Sequence, residues 1–112
     1  MKELAHEKFI PHESDTSPLT DSEINELLQE LPEWQVMTVE GISHLKRRFD
    51  FKNFATALAF TNVVGELAEQ QGHHPLITLT WGKVTVEWWT HDIQGLHKND
   101  FIMAAKTSQA YQ

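Results

Sequence analysis

Apolar residues recur along this chain with two alternating periods. The first regular stretch has the helical one: Ile24, Leu27, Leu28 and Leu31 fall on one face. Thr20 stands three residues before Glu23, which is the pattern of a capping box, and Pro32 stops the helix. The period then shortens to two, predicting strands over about Trp34–Val39 and Ser43–Phe51 with a turn at Glu40-Gly41. In the second strand Leu45, Phe49 and Phe51 share one side, while Lys46, Arg48 and Asp50 share the other. Asn53 is the expected N-cap of a long helix carrying Phe54, Ala57, Leu58, Phe60, Val63, Val64, Leu67 and Ala68. That apolar arc is wide enough for burial on two sides, against a sheet and against a second subunit. Gly72 sits where a left-handed cap belongs, and Pro75 prevents continuation.

Two further alternating runs follow, about Leu76–Trp81 and Lys83–His91, joined at Gly82. Gly95 opens the last connection, and Leu96 with Phe101 forms a hydrophobic staple at the entry to a final helix that buries Phe101, Ile102 and Ala105. Hairpins alternating with helices predict an α+β two-layer sandwich, a four-stranded antiparallel sheet with three helices on one face in the order α-β-β-α-β-β-α. Residues Met1–Pro18 lack periodicity and end in the loop-type cluster Ser14–Pro18, so they read as a flexible tail before a single domain over residues 19–112. Phe9 and Ile10 are the tail's candidates for docking onto that domain.

Composition narrows the function classes. The 112 residues suffice for one core. Nine basic against sixteen acidic residues give a net charge of −7, which disfavours direct contact with nucleic acid or anionic membrane. The only basic run, Lys46-Arg47-Arg48, is short. Without cysteine there is no disulfide, thiolate metal site or thiol nucleophile. No apolar run approaches a bilayer span of about 20 residues, and the N-terminus has no signal-peptide core. A cytoplasmic location is the expectation.

Three of the seven histidines stand out. Glu69 lies in the last turn of the long helix, and His73 and His74 follow its cap. His91 ends the last strand, and Asp100 lies in the first turn of the last helix. If both hairpins join one sheet, the start of the third strand and the end of the fourth are neighbours, which brings His73, His74 and His91 to one edge. An imidazole titrates at about pH 6.5 when unperturbed and so suits proton transfer near neutrality.

The segment Glu69-Gln70-Gln71-Gly72-His73-His74-Pro75, followed by Trp81, Thr90-His91-Asp92 and Asp100, resembles the signature of pterin carbinolamine dehydratases. The resemblance covers roughly Leu19 to Lys106. One departure is His97, a poorer N-cap than the family's usual Ser or Thr; Asp100 can still offset the helix dipole. The resemblance implies a hydro-lyase acting on a 4a-hydroxytetrahydropterin without metal or other cofactor, the pterin being the substrate. It implies that His74 is the chief acid/base group and that His73 and His91 assist or bind. Glu69 and Asp100 would then orient imidazoles, with Pro75, Trp81, Thr90 and Asp92 supporting the site or the substrate. Further implications are a homodimer or homotetramer and a functional link to an aromatic amino-acid hydroxylase.

Each residue also has a plainer reading. Adjacent His73 and His74 are loop residues after a cap, His91 a strand-end histidine, Glu69 a solvated carboxylate and Asp100 a helix-start residue. Trp81, Trp88 and Trp89 suit a core or interface, although alternation puts Trp89 on the side of His91. A zinc site is disfavoured because consecutive residues in extended chain point apart. His6, His12, His44 and His97 read as surface. A non-catalytic dimerisation, assembly or coactivator protein of the same fold is the rival function, and such a module has no need of the full histidine set.

Overall fold

The computed structural model describes residues 2–7 and 17–111. Its elements are α1 (Lys2–His6), α2 (Asp21–Leu28), β1 (Gln35–Val39), β2 (Ile42–Asp50), α3 (Phe54–Gln71), β3 (Leu76–Thr80), β4 (Lys83–Trp88), a 3-10 turn (His91–Ile93) and α4 (Lys98–Ala110). The strands form one antiparallel sheet in the order β1-β2-β4-β3. Both hairpins therefore meet at the central β2–β4 pair, with Leu45 opposite Trp88 and Phe49 opposite Val84.

Local chemistry sets the element ends. The Thr20 hydroxyl accepts from the Glu23 N–H while the Glu23 carboxylate accepts from the Thr20 N–H, closing the capping box of α2. The Asn53 side chain caps α3 by accepting from the Thr56 N–H at 2.8 Å. Glu40 and Gly41 both have positive φ, 52° and 82°, as a tight hairpin turn matched to strand twist requires.

One face of the sheet is covered by α3, which packs on β3 and β4, and by α4, which packs on β2 and β4. The core between these layers contains Leu45, Phe49, Val84, Val86 and Trp88 from the sheet, with Phe60, Val64, Phe101 and Ile102 from the helices. Burying each such side chain contributes about 1.5–3 kcal/mol. Arg47 points into this layer, its guanidinium 4.4 Å from the Phe49 ring centre and donating to the Ser108 hydroxyl. The run Lys46-Arg47-Arg48 is thus split between the two faces of the sheet and does not form one basic patch. Among the described residues, no helix is long and apolar enough to cross a membrane.

The reading of Met1–Pro18 as a loose tail is corrected over its first residues. Lys2–His6 is helical and packs against α4, and Leu4 and Ala5 are buried in the core. The Lys106 ammonium donates to the Ala5 carbonyl at 2.6 Å, and Lys98 pairs with Glu7 at 2.9 Å. The physical reason lies in α4, where Asn99 to Ala105 are buried without a break. The sheet covers only one side of that helix, and α1 covers another. Phe9 and Ile10 lie outside the described residues. At the end of the tail, the Leu19 N–H donates to the Leu96 carbonyl at 2.8 Å, tying the start of the domain to the loop before α4.

Candidate active site

The end of α3 places the two adjacent histidines. Gly72 adopts φ 64°, a left-handed cap that glycine tolerates without steric cost. The His73 N–H then donates back to the Ala68 carbonyl at 3.1 Å, the closing bond of a Schellman motif. Pro75 follows, which holds His74 in extended backbone. Successive side chains there diverge, and the two imidazoles meet different carboxylates.

His73 turns inward. Its Nε2 is 2.6 Å from Oδ1 of Asp100, and its ring lies nearly parallel to the Trp88 indole at 5.7 Å. Asp100 has no exposed surface and is the centre of a buried network. Its Oδ2 accepts from the Thr90 hydroxyl at 2.7 Å and from the His97 N–H at 2.9 Å. These donors offset the hydration that the side chain loses on burial. Asp100 thereby joins β3, the end of β4 and the start of α4.

His74 turns outward, where its Nε2 is 2.6 Å from Oε1 of Glu69. Both side chains are largely exposed, 60% and 78%. With Nε2–H donated to the carboxylate, Nδ1 is the nitrogen that can exchange a proton with a bound molecule. His91 opens the 3-10 turn at the same end of the sheet, exposed, with its ring centre 4.5 Å from that of Trp89. His74 precedes β3 and His91 follows β4, so both stand at the same end of that strand pair.

Other expected site residues are placed differently. Pro75 is half-buried beside His74, and Asp92 is exposed in the 3-10 turn after His91. Trp81 is 67% exposed in the turn joining β3 to β4. It lies beyond the far end of the five-residue β3 from His74, a strand about 17 Å long, so it does not join the histidines.

Two histidines read as surface are not. His44 is buried on the sheet face away from the helices, its ring stacked on Trp89 at 3.7 Å and 1° and its Nδ1 3.1 Å from Glu87 Oε1. The alternation correctly assigns His44 to that face, but the overhanging indole of Trp89 is a tertiary feature with no periodic signal. His97 caps α4: its Nδ1 accepts from the Asn99 N–H at 3.0 Å, and Asp100 completes a capping box. An imidazole thus performs the N-cap task expected of Ser or Thr. His6 is exposed on α1, and His12 lies outside the described residues. Among the described residues, no group of three or more His, Asp or Glu is placed to hold a metal ion.

Known proteins share this fold. A crystal structure of a transcriptional coactivator/pterin dehydratase from Brucella melitensis superposes with a TM-score of 0.77 at 35% identity, covering 86% of this chain and all of that one. A pterin dehydratase-like protein identified as a RuBisCO assembly factor in the alpha-carboxysome shares the fold, with a TM-score of 0.59 at 19% identity over 90% of this chain and 96% of that one. A Microcystis aeruginosa protein carrying the pterin-4-alpha-carbinolamine dehydratase name is 53% identical over all of this chain and 97% of its own length. One from Chlorobium limicola with the same name is 55% identical over all of this chain and 99% of its own. The family profile described as pterin 4 alpha carbinolamine dehydratase matches residues 17–110, a span that holds the His73–Asp100 and His74–Glu69 pairs and His91. By fold, by full-length identity and by that match, the chain belongs to the pterin 4 alpha carbinolamine dehydratase family of hydro-lyases.

Proposed function

We propose that this protein dehydrates a 4a-hydroxytetrahydropterin to the quinonoid dihydropterin by histidine acid/base catalysis. In that reaction the N5 lone pair forms the C4a–N5 double bond as the C4a–O bond breaks. The departing oxygen takes a proton and leaves as water, and the N5–H proton is given up. The net change is loss of one water, with no change of redox state. Two proton transfers near neutral pH are what imidazoles supply.

The observation that carries this reading is the exposed His74–Glu69 pair beside the buried His73–Asp100 pair. The buried pair braces the loop. In the exposed pair, Glu69 fixes the Nε2 tautomer and stabilises the imidazolium, leaving Nδ1 to serve the substrate. His74 is the principal acid/base group in this proposal, and His91 approaches from a second element. The two C4a epimers lose hydroxyl from opposite ring faces, so His74 serves one and His91 the other.

No metal or other cofactor enters this scheme. Recycling of tetrahydropterin after an aromatic hydroxylase, in a cytoplasmic setting, belongs to the same proposal; the cysteine-free composition fits a reducing compartment. The test is turnover of enzymatically generated 4a-hydroxytetrahydropterin, followed as quinonoid product in excess of the uncatalysed rate. Capture of protein partners in the absence of any such turnover would favour the assembly role instead.

A further inference from the structure

His44 lies outside every motif that marks the family resemblance, yet it has the closest ring stack among the described residues. It comes from β2, on the sheet face that carries no helix among the described residues. A side chain there is ordinarily solvated, as the exposed Met37 and Val39 on the same face of β1 illustrate. His44 is instead only 5% exposed. Extending the β2–β4 register by one residue beyond Leu45–Trp88 puts His44 level with Trp89. Their rings lie parallel at 3.7 Å. The Glu87 carboxylate, largely buried on β4 two residues before Trp89, lies 3.1 Å from the imidazole edge.

The same indole touches His91, with ring centres 4.5 Å apart at a tilt of 43°. Trp89 is therefore held by an imidazole on one side chain and meets the candidate acid/base imidazole on another. A parallel stack at 3.7 Å leaves no room for a pterin between the two rings. Trp89 then acts as a strut between His44 and His91, and that covered indole face is closed as a stacking platform.

We propose that His44, anchored by Glu87, is a positioning residue of the dehydratase site: it fixes the Trp89 indole and, through it, the orientation of His91. This rests on the dehydratase reading above. Removing the stack frees the indole to rotate and lets the exposed His91 sample unproductive orientations. An acid/base group displaced by an ångström loses about 10–100-fold in rate, with less effect on substrate binding. The stack, rather than the ionisation of His44, is the operative feature, so an aromatic ring without a titrating group can replace it.

The experiment measures kcat and KM on separated C4a epimers for the unmodified protein, His44→Ala and His44→Phe, each alone and combined with His91→Ala or His74→Ala. Thermal melting runs in parallel. The expected result is a kcat about 10–100-fold lower for His44→Ala on the His91-dependent epimer, with KM within a few-fold and His44→Phe close to the unmodified rate. The His44→Ala loss should vanish in the His91→Ala background and persist in full in the His74→Ala background. A merely structural role would give equal losses in both. An unchanged kcat for His44→Ala, a His44→Phe rate as low as that of Ala, or a loss that survives undiminished without His91 would each overturn the proposal. If the unmodified protein itself produced no turnover, the dehydratase reading would fall and take this one with it, an outcome distinct from active protein with a silent His44.

Discussion

His73 Nε2 stands 2.6 Å from Asp100 Oδ1, with one side chain about one-tenth exposed and the other fully buried. The next residue makes a contact of the same length with Glu69 in open solvent. Equal distances in opposite surroundings have different consequences. The buried carboxylate also satisfies Thr90 and the His97 N–H, so its loss strands several polar groups at once. Asp100→Ala is expected to destabilise the fold by about 3 kcal/mol or more. Glu69→Ala, at the surface, is expected to cost no more than about 1 kcal/mol while lowering turnover. Denaturant midpoints and rates on the two variants check both halves.

The short helix α1 is expected to support α4. Leu4→Ala removes a buried side chain from the α1–α4 contact and should cost about 2 kcal/mol. For a domain of this size that lowers the melting temperature by about 8 °C. Deleting residues 2–7 should lower it at least as far. A deletion variant that melts with the full-length protein would show that α1 contributes nothing to stability.

The strong regularities of the fold were legible in the sequence. Thr20 with Glu23, Asn53 and Gly72 perform the capping tasks their types and positions imply, and the hairpin period yields the two strand pairs. The resemblance implies that Glu69 and Asp100 meet imidazoles; which carboxylate meets which histidine comes from the fold, Glu69 with His74 and Asp100 with His73. What was not legible depends on contacts distant in sequence. The Lys2–His6 segment is too short for a helical period, and its partner surface is the far side of α4. The unbroken apolar run Phe101 to Ala105 is the trace of it in the sequence. His44 obeys the alternation and is still buried, because Trp89 folds over it from another strand.

Self-association is expected through surfaces the single chain leaves open. Phe54, Leu58 and Val63 on α3 are 40–49% exposed, and among the described residues the edge strands β1 and β3 each pair on one side only. Sedimentation at micromolar concentration should show a dimer or larger species, and Leu58→Glu should shift it toward monomer. A clean monomer for the unmodified protein would defeat this expectation.

Metal independence is a separate expectation. The proposed proton transfers use imidazole and carboxylate groups alone, so prolonged chelator treatment should leave the rate unchanged. Stoichiometric zinc in the purified protein, with activity lost on its removal and restored on its return, would overturn the histidine-only scheme.

The central claim is that His74, fixed by Glu69 and Pro75, is the principal acid/base group of a 4a-hydroxytetrahydropterin dehydratase. Its most direct test is the rate of quinonoid product formation from each C4a epimer, for the unmodified protein and for His74→Ala with its fold verified by melting. The account predicts catalysis by the unmodified protein and a loss of about 10²–10⁴-fold on the epimer His74 serves, as removal of a positioned acid/base produces. A His74→Ala variant turning over both epimers at the unmodified rate would contradict it.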